Sequence, residues 1–176
     1  MVTSMEWFLE QARLGKMFNA CSAGAVTLST VSTTCTGLAL SNSYGSGKLL
    51  VVKEVRFAPS TAPAGVSLAG IAIHTAISPT ETTHTTPMVV HNAIARGNVS
   101  GVSVGKVDAA ATLASTPLWL RPLGSVAATG SIDVGQAYVD YTYGSIIIPG
   151  GGCMSLSYLT TAAIGIASVT WVEIDE

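Results

Sequence analysis

Apolar and polar positions divide the chain into one short helical stretch and a long series of strand-like segments. Ser4 to Leu14 (SMEWFLEQARL) carries helix signals at both ends. Ser4 caps it, Glu6 lies in the first turn, Arg13 in the last, and Gly15 follows as a stop. Trp7 and Leu14, with Phe8 and Met17, give this segment a partial apolar face. So short a helix is marginal in water, so it is expected to pack on its own domain or on a neighbouring subunit.

Beyond residue 17 the period shortens to that of strands. Lys48 to Pro59 (KLLVVKEVRFAP) is the clearest, with Leu49, Val51, Val55 and Phe57 expected on one face. Glu54 and Arg56 share the other face with Leu50 and Val52, which predicts that this face is partly wet. Further strands are expected at Thr36–Leu40, Val66–Ala76, Pro87–Ala95, Ser100–Ala110, Leu118–Leu123, Ala137–Pro149, Cys153–Leu159 and Gly165–Ile174. Turns fall at Ser43–Gly47, Pro63–Gly65 and Gly150–Gly152, and loops at 78–87 and 124–135. In the last strand Trp171 shares a face with Val169 and Ala167, and Val172 and Ile174 take the other.

About ten short strands with Gly and Pro turns, and no helical crossovers, predict an all-β fold: an antiparallel β-sandwich, jelly-roll-like, with a short N-terminal helix. Residues 1–17 form the helical arm and residues 18–176 the sandwich domain.

Charge changes this picture most. Only 10% of the 176 residues are charged, and the stretches 17–47, 57–80, 109–120 and 141–172 carry no Asp, Glu, Lys or Arg. With 20 Thr, 19 Ser and 18 Gly, much of the exterior must be neutral and small. Such a surface either meets water through its hydroxyls or is covered by other chains. A mixture in which burial predominates is expected, because neutral side chains avoid the desolvation cost of stranded charge. A net charge of -2 with eight scattered Lys and Arg argues against a nucleic-acid partner. No run of apolar residues is long enough to span a membrane, and the first thirty residues lack the pattern of a secretory signal.

Candidate chemistry is sparse. Gly101–Val102–Ser103–Val104–Gly105 matches a nucleophile-elbow pattern, but without the alternating strands and helices that make that turn work. Gly45–Ser46–Gly47–Lys48 lacks the earlier Gly and the following Ser or Thr of a phosphate loop, and a strand follows it. His74, His84 and His91 form no metal-binding spacing. Asp140 beside Tyr138, Tyr141 and Tyr143 is the best cluster for a carbohydrate site. Cys21, Cys35 and Cys153 are expected to be reduced and structural, with a Cys21–Cys35 bridge as the alternative. No catalytic, cofactor-binding or metal-binding residue is expected. Trp7, Phe8, Leu14, Met17, Tyr141 and Tyr143 are the candidate interface residues.

The order of several weak motifs resembles a group of small jelly-roll virion proteins of tailed bacteriophages. A short helix leads to a Gly–Lys–hydrophobic start at Ala12–Phe18. A Thr–x–Thr–Gly–Leu segment and a Gly–Ser–Gly turn lie within Thr34 to Gly47. A long apolar strand ends near Ala–Pro within Val51 to Pro63. Leu113–Pro117, Ile146–Gly151 and Trp171–Glu173 complete the series. The resemblance spans nearly the whole chain. It implies a capsid decoration, or cement, protein: a homotrimer on the virion surface, made in the host cytoplasm, that bridges capsomers of the major capsid protein. It supplies no catalytic residue. The alternative is a receptor- or carbohydrate-binding head of a tail fibre, with loops 78–87 and 124–136 as its rim, or another tail or connector component. An enzyme, either a hydrolase or a cupin-like metal protein, ranks last.

Overall fold

A computed structural model describes residues 4–61, 65, 67–74, 82–94, 103–126, 137–160 and 162–176. One helix, α1 (Ser4–Arg13), precedes β1 (Met17–Cys21), β2 (Val26–Leu28), β3 (Thr34–Asn42), β4 (Lys48–Thr61) and β5 (Ser67–Ile73). Then come β6 (Thr83–Pro87), β7 (Val90–Asn92), β8 (Gly105–Thr112), β9 (Leu118–Val126), β10 (Tyr138–Ile148), β11 (Cys153–Tyr158) and β12 (Ala163–Asp175). One sheet runs β10-β4-β12-β1-β7, with β2 also on β12; the other runs β6-β8-β3-β11-β5-β9. All pairings between named strands are antiparallel.

From β2 to β5, and again from β9 to β12, each strand lies in the sheet opposite its predecessor. This alternation gives the antiparallel sandwich its jelly-roll-like order. The excursion β6–β7–β8 widens both sheets along one flank, β7 beside β1 and β8 beside β3. The strand β6 falls inside the stretch expected as a loop at 78–87. Its Thr-rich backbone pairs with β8, which composition alone does not reveal; residues 78–81 lie outside the described residues. β9 runs three residues past the expected Leu123, to Val126, and the remainder of the expected loop up to 135 lies outside the described residues. Pro122 sits within β9, where an edge strand tolerates a missing amide donor.

The core lies between the sheets. Trp171, Tyr158, Phe57, Leu38, Leu40, Leu50, Ile71, Met154 and Leu156 are its largest fully buried side chains. The strand β4 corrects one expectation. Leu50 and Val52 face the core together with Val55 and Phe57, and Val51 turns the other way, under the helix. The cause is a bulge: Glu54 pairs with Thr170 and Val52 with Trp171, leaving Lys53 as an extra residue. One inserted residue inverts the inward–outward alternation. The strand β12 follows its expected pattern, with Ala167, Val169 and Trp171 inward and Val172 and Ile174 against the helix.

The helix ends as its sequence predicts. Gly15 takes a left-handed φ of 73°, its amide donates to Ala12 C=O at 3.0 Å, and the Lys16 amide donates to Gln11 C=O at 2.9 Å. This pair of bonds closes the last turn and sends the chain directly into β1. Phe8 packs with Met17, Val51 and Val172, flanked by Trp7, Ala12 and Ile174, on the outer face of the first sheet. The arm therefore packs on its own sandwich.

Two polar anchors fix the connections. Asn42 Nδ2 donates to Lys48 C=O at 2.7 Å and to Ile148 C=O at 3.0 Å, and Asn42 Oδ1 accepts from the Ser46 hydroxyl at 2.7 Å. One side chain thus ties the turn after β3 to the end of β10. The buried Glu173 carboxylate accepts from the Ser103 hydroxyl at 2.6 Å and the amides of Val104 and Gly105 at 3.2 and 3.0 Å. It also accepts from Trp171 Nε1 at 3.2 Å. Glu173→Ala strands these donors in a buried site and is expected to cost about 3–5 kcal/mol of stability. Chemical denaturation followed by Trp fluorescence measures that loss; a change under 1 kcal/mol contradicts the clamp.

Candidate functional site

Among the described residues, the outer face of the first sheet carries a contiguous apolar exposure. Along β10, Val139, Tyr141, Tyr143 and Ile147 point outward and are exposed, while Thr142, Ile146 and Ile148 are buried. Regular pairing with β4 breaks between Tyr141 and Ile146. Tyr143 adopts a φ of 47° and Gly144 a φ of 83°. Gly is favoured at position 144, since a side chain would be strained at that φ and its Cβ would sit tightly, at 3.1 Å, against the Val51 side chain. The distortion leaves the Tyr141 and Tyr143 rings stacked, with centroids 5.8 Å apart and planes 20° apart.

A groove of about 450 Å³ separates these rings from α1. Met5, Leu9 and Ala12 form the helical wall, and Phe8 and Met17 lie at its base. Lys53, the bulged residue of β4, is the one charged side chain among the described residues that line it. Met5 is 71% exposed and Leu9 53%, although both are apolar. Arg56 and Glu54, further along β4, form an ion pair at 3.0 Å.

The candidate interface residues separate into distinct environments. Tyr141 and Tyr143 stand in the open at half exposure, and Leu14 is 60% exposed beyond the helix end, outside the groove. Phe8 and Met17 are buried at 3% and 6%, so their contacts are mostly within the chain. Trp7 packs edge-on against Phe8, with ring centroids 4.9 Å apart. Met5, Leu9 and Lys53 were missed. The i, i+4 spacing of Met5 and Leu9 beside Phe8 and Ala12 is the signal that points to the first two; the bulge that brings in Lys53 leaves none.

The proposed carbohydrate cluster does not assemble. Asp140 lies on the face of β10 opposite Tyr141 and Tyr143, and its Oδ2 is 3.1 Å from Arg121 Nε. Arg121 also donates to the Ser145 hydroxyl at 2.7 Å, and the Tyr138 hydroxyl donates to Ser125 C=O at 3.0 Å. The Ser103 hydroxyl is engaged by Glu173, and among the described residues no hydrogen bond joins it to an imidazole, so it is not poised as a nucleophile. Gly101 and Val102 lie outside the described residues. Gly45 and Gly47 are turn residues with left-handed φ, and Lys48 pairs with Asp175.

Of the histidines, His91 is exposed on β7 and His74 follows β5, where burial lowers its pKa and favours the neutral ring. His84 Nδ1 donates to Asp108 Oδ2 at 2.5 Å. Among the described residues, no three His, Cys, Asp or Glu side chains are placed to hold a metal ion. Cys21 is exposed on the first sheet, Cys35 and Cys153 are buried on the second, and none is paired. The alternative Cys21–Cys35 bridge is therefore not formed.

Burial is the largest effect on both inner thiols. It pushes Cys35 up to about 11, with the nearby Asp108 charge adding to the shift, and raises Cys153 further. Both remain protonated near neutral pH and are poor nucleophiles. Thiol labelling of the native protein is expected to modify Cys21 alone, with the other two reacting only on unfolding. A raised folded pKa adds stability below the unfolded value, and that stability is lost as pH rises through the folded one. For Cys35 that window runs from about 9 to about 11 and is worth about 2–3 kcal/mol. The loss is expected in denaturation at increasing pH and is expected to be smaller by about that amount in Cys35→Ala, where Cys153 still contributes.

No protein-family model, no curated protein and no solved structure matches this chain, so its geometry bears alone on what it does.

Proposed function

We propose that the chain is a virion structural protein of a bacteriophage. In this reading it is a decoration protein that forms a homotrimer and bridges subunits of the major capsid protein. The observation that carries this reading is the apolar surface on the outer face of the first sheet, where Met5, Leu9, Tyr141 and Tyr143 are exposed around one groove. Exposed aromatic and apolar groups arranged contiguously mark surfaces that other molecules cover. Tyr combines a large contact area with few rotatable bonds, and it is enriched at such interfaces.

Two further observations support a mechanical role. The long uncharged stretches leave few charges to desolvate when copies meet. Three side chains with nucleophilic potential are tied up: the Ser103 hydroxyl serves a structural clamp and two of the three thiols are buried and protonated. The sequence resemblance supports a role for such a sandwich on a closed shell. There, a weak contact repeated around the particle gains strength because each further contact forms at high effective concentration.

Sedimentation of the purified chain across a wide concentration range tests the assembly. A trimer is expected, and Leu9→Ser combined with Tyr141→Ser is expected to raise its dissociation constant at least tenfold without lowering the protomer's thermal midpoint by more than a few degrees. A monomer at all concentrations overturns the trimer. Electron cryo-microscopy of a particle carrying the chain tests its place: density for it on the outer shell is expected, and density confined to the tail overturns the decoration role.

A further inference from the structure

We infer that Tyr143 decides recognition at the tyrosine groove, and that its strained backbone is kept for contact with a second copy of the chain. This role rests on the assembly reading above. It adds which side chain the fold holds in place for the neighbouring copy, and at what cost to the protomer.

Among the described residues, Tyr143 is the one residue other than Gly with a positive φ, at 47°. In that left-handed region the Cβ crowds the following carbonyl, so a residue with a large side chain is disfavoured there. Backbone held against this preference persists only where its surroundings over-determine it, and it gathers at sites that bind or switch. Here the surroundings do so. From Tyr141 to Ile146 β10 advances five residues while β4 passes from Glu54 to Val52, only two, so β10 carries three residues more than its partner. Gly144, at a φ of 83°, continues the turn. The buried Thr142 hydroxyl donates to Val52 C=O and pins this excess to β4.

The protomer's interior gains little from the turn. Tyr143 is 51% exposed, the Tyr141 ring on which it stacks is 50% exposed, and β10 lies at the edge of its sheet. What the turn secures is the arrangement of the two rings, 5.8 Å apart and within 20° of parallel, along one wall of the groove. Rings already fixed in place lose little freedom on contact, so the backbone cost is recovered as preorganisation when a neighbour covers them. A second copy of this chain suits that place, because its long uncharged stretches can lie over the rings without stranding charge.

The test separates the ring from the strain. Asn tolerates a left-handed φ, so Tyr143→Asn removes both together. Its thermal midpoint, read at a concentration where the chain is monomeric, is expected to equal or exceed that of the wild type. Tyr141→Asn removes the same ring from a position without a positive φ, and is expected to melt about 3 °C below the wild type. In sedimentation across a range of concentrations, each variant is expected to raise the trimer's dissociation constant at least tenfold. Tyr143→Phe, which keeps the ring and the turn, is expected to leave that constant unchanged. If Tyr143→Asn melts as far below the wild type as Tyr141→Asn, or fails to fold, the ring serves the protomer and the proposal is overturned. If Tyr143→Asn assembles as tightly as the wild type, the proposal is overturned while the trimer stands. A wild type that stays monomeric at every concentration overturns the trimer, and this role with it.

Discussion

Strand β12 runs hydrogen-bonded between β4 and β1, and three consecutive residues on it reach three parts of the molecule. Trp171 fills the space between the sheets, stacked on Phe18 at 6.0 Å. Val172 points the other way and forms the floor on which the helix rests. Glu173 turns back and gathers the amides that lead into β8. The period of two along a strand makes this possible, because neighbours on the chain serve opposite surfaces. Core, arm and flank are therefore coupled through one backbone segment. The close fit around it shows at Gly105, where a Cβ would come within 2.8 Å of the Trp171 indole nitrogen.

Much of this was legible in the sequence. The Gly15 stop of α1, the turn after Asn42 and the alternation of β10 and β12 each follow from local chemistry, and their placement agrees with the structure. What local chemistry does not encode is the insertion of one residue against a partner strand. Leu50 and Val52 appear to share a wet face with Glu54 and Arg56, and only the pairing with β12 shows that Lys53 is looped out between them. The edge strand β6 is invisible for a related reason: THTTP is polar because one side of it faces solvent, and its partner lies some twenty residues away on β8. The buried Asp108–His84 contact depends on that same distant pairing.

The candidate surface shows the same division. Tyr141 and Tyr143 stand out in sequence as aromatics two apart on a strand, and they do share an exposed face. Phe8 and Met17 carry the same apolar signal, yet they are spent on docking the helix. Hydrophobicity identifies residues that avoid water without saying whether an intramolecular or an intermolecular contact removes them from it. Geometry decides: the seam beneath α1 is closed, and the groove beside it is open. A face that is apolar and nearly free of charge suits contact with a surface of matching shape more than recognition of a charged molecule.

The looped-out Lys53 has a consequence for how this strand can diverge. Its side chain reaches the groove without packing in the core, so other residues can replace it with little effect on the interior. Removing the position altogether would also spare the interior. Val52 would be followed directly by Glu54, and regular alternation would keep Leu50, Val52, Val55 and Phe57 inward and Val51, Glu54 and Arg56 outward. The extra residue therefore acts on the groove's charge and on the local twist of the strand, and related sequences are free to vary both the amino acid and its presence.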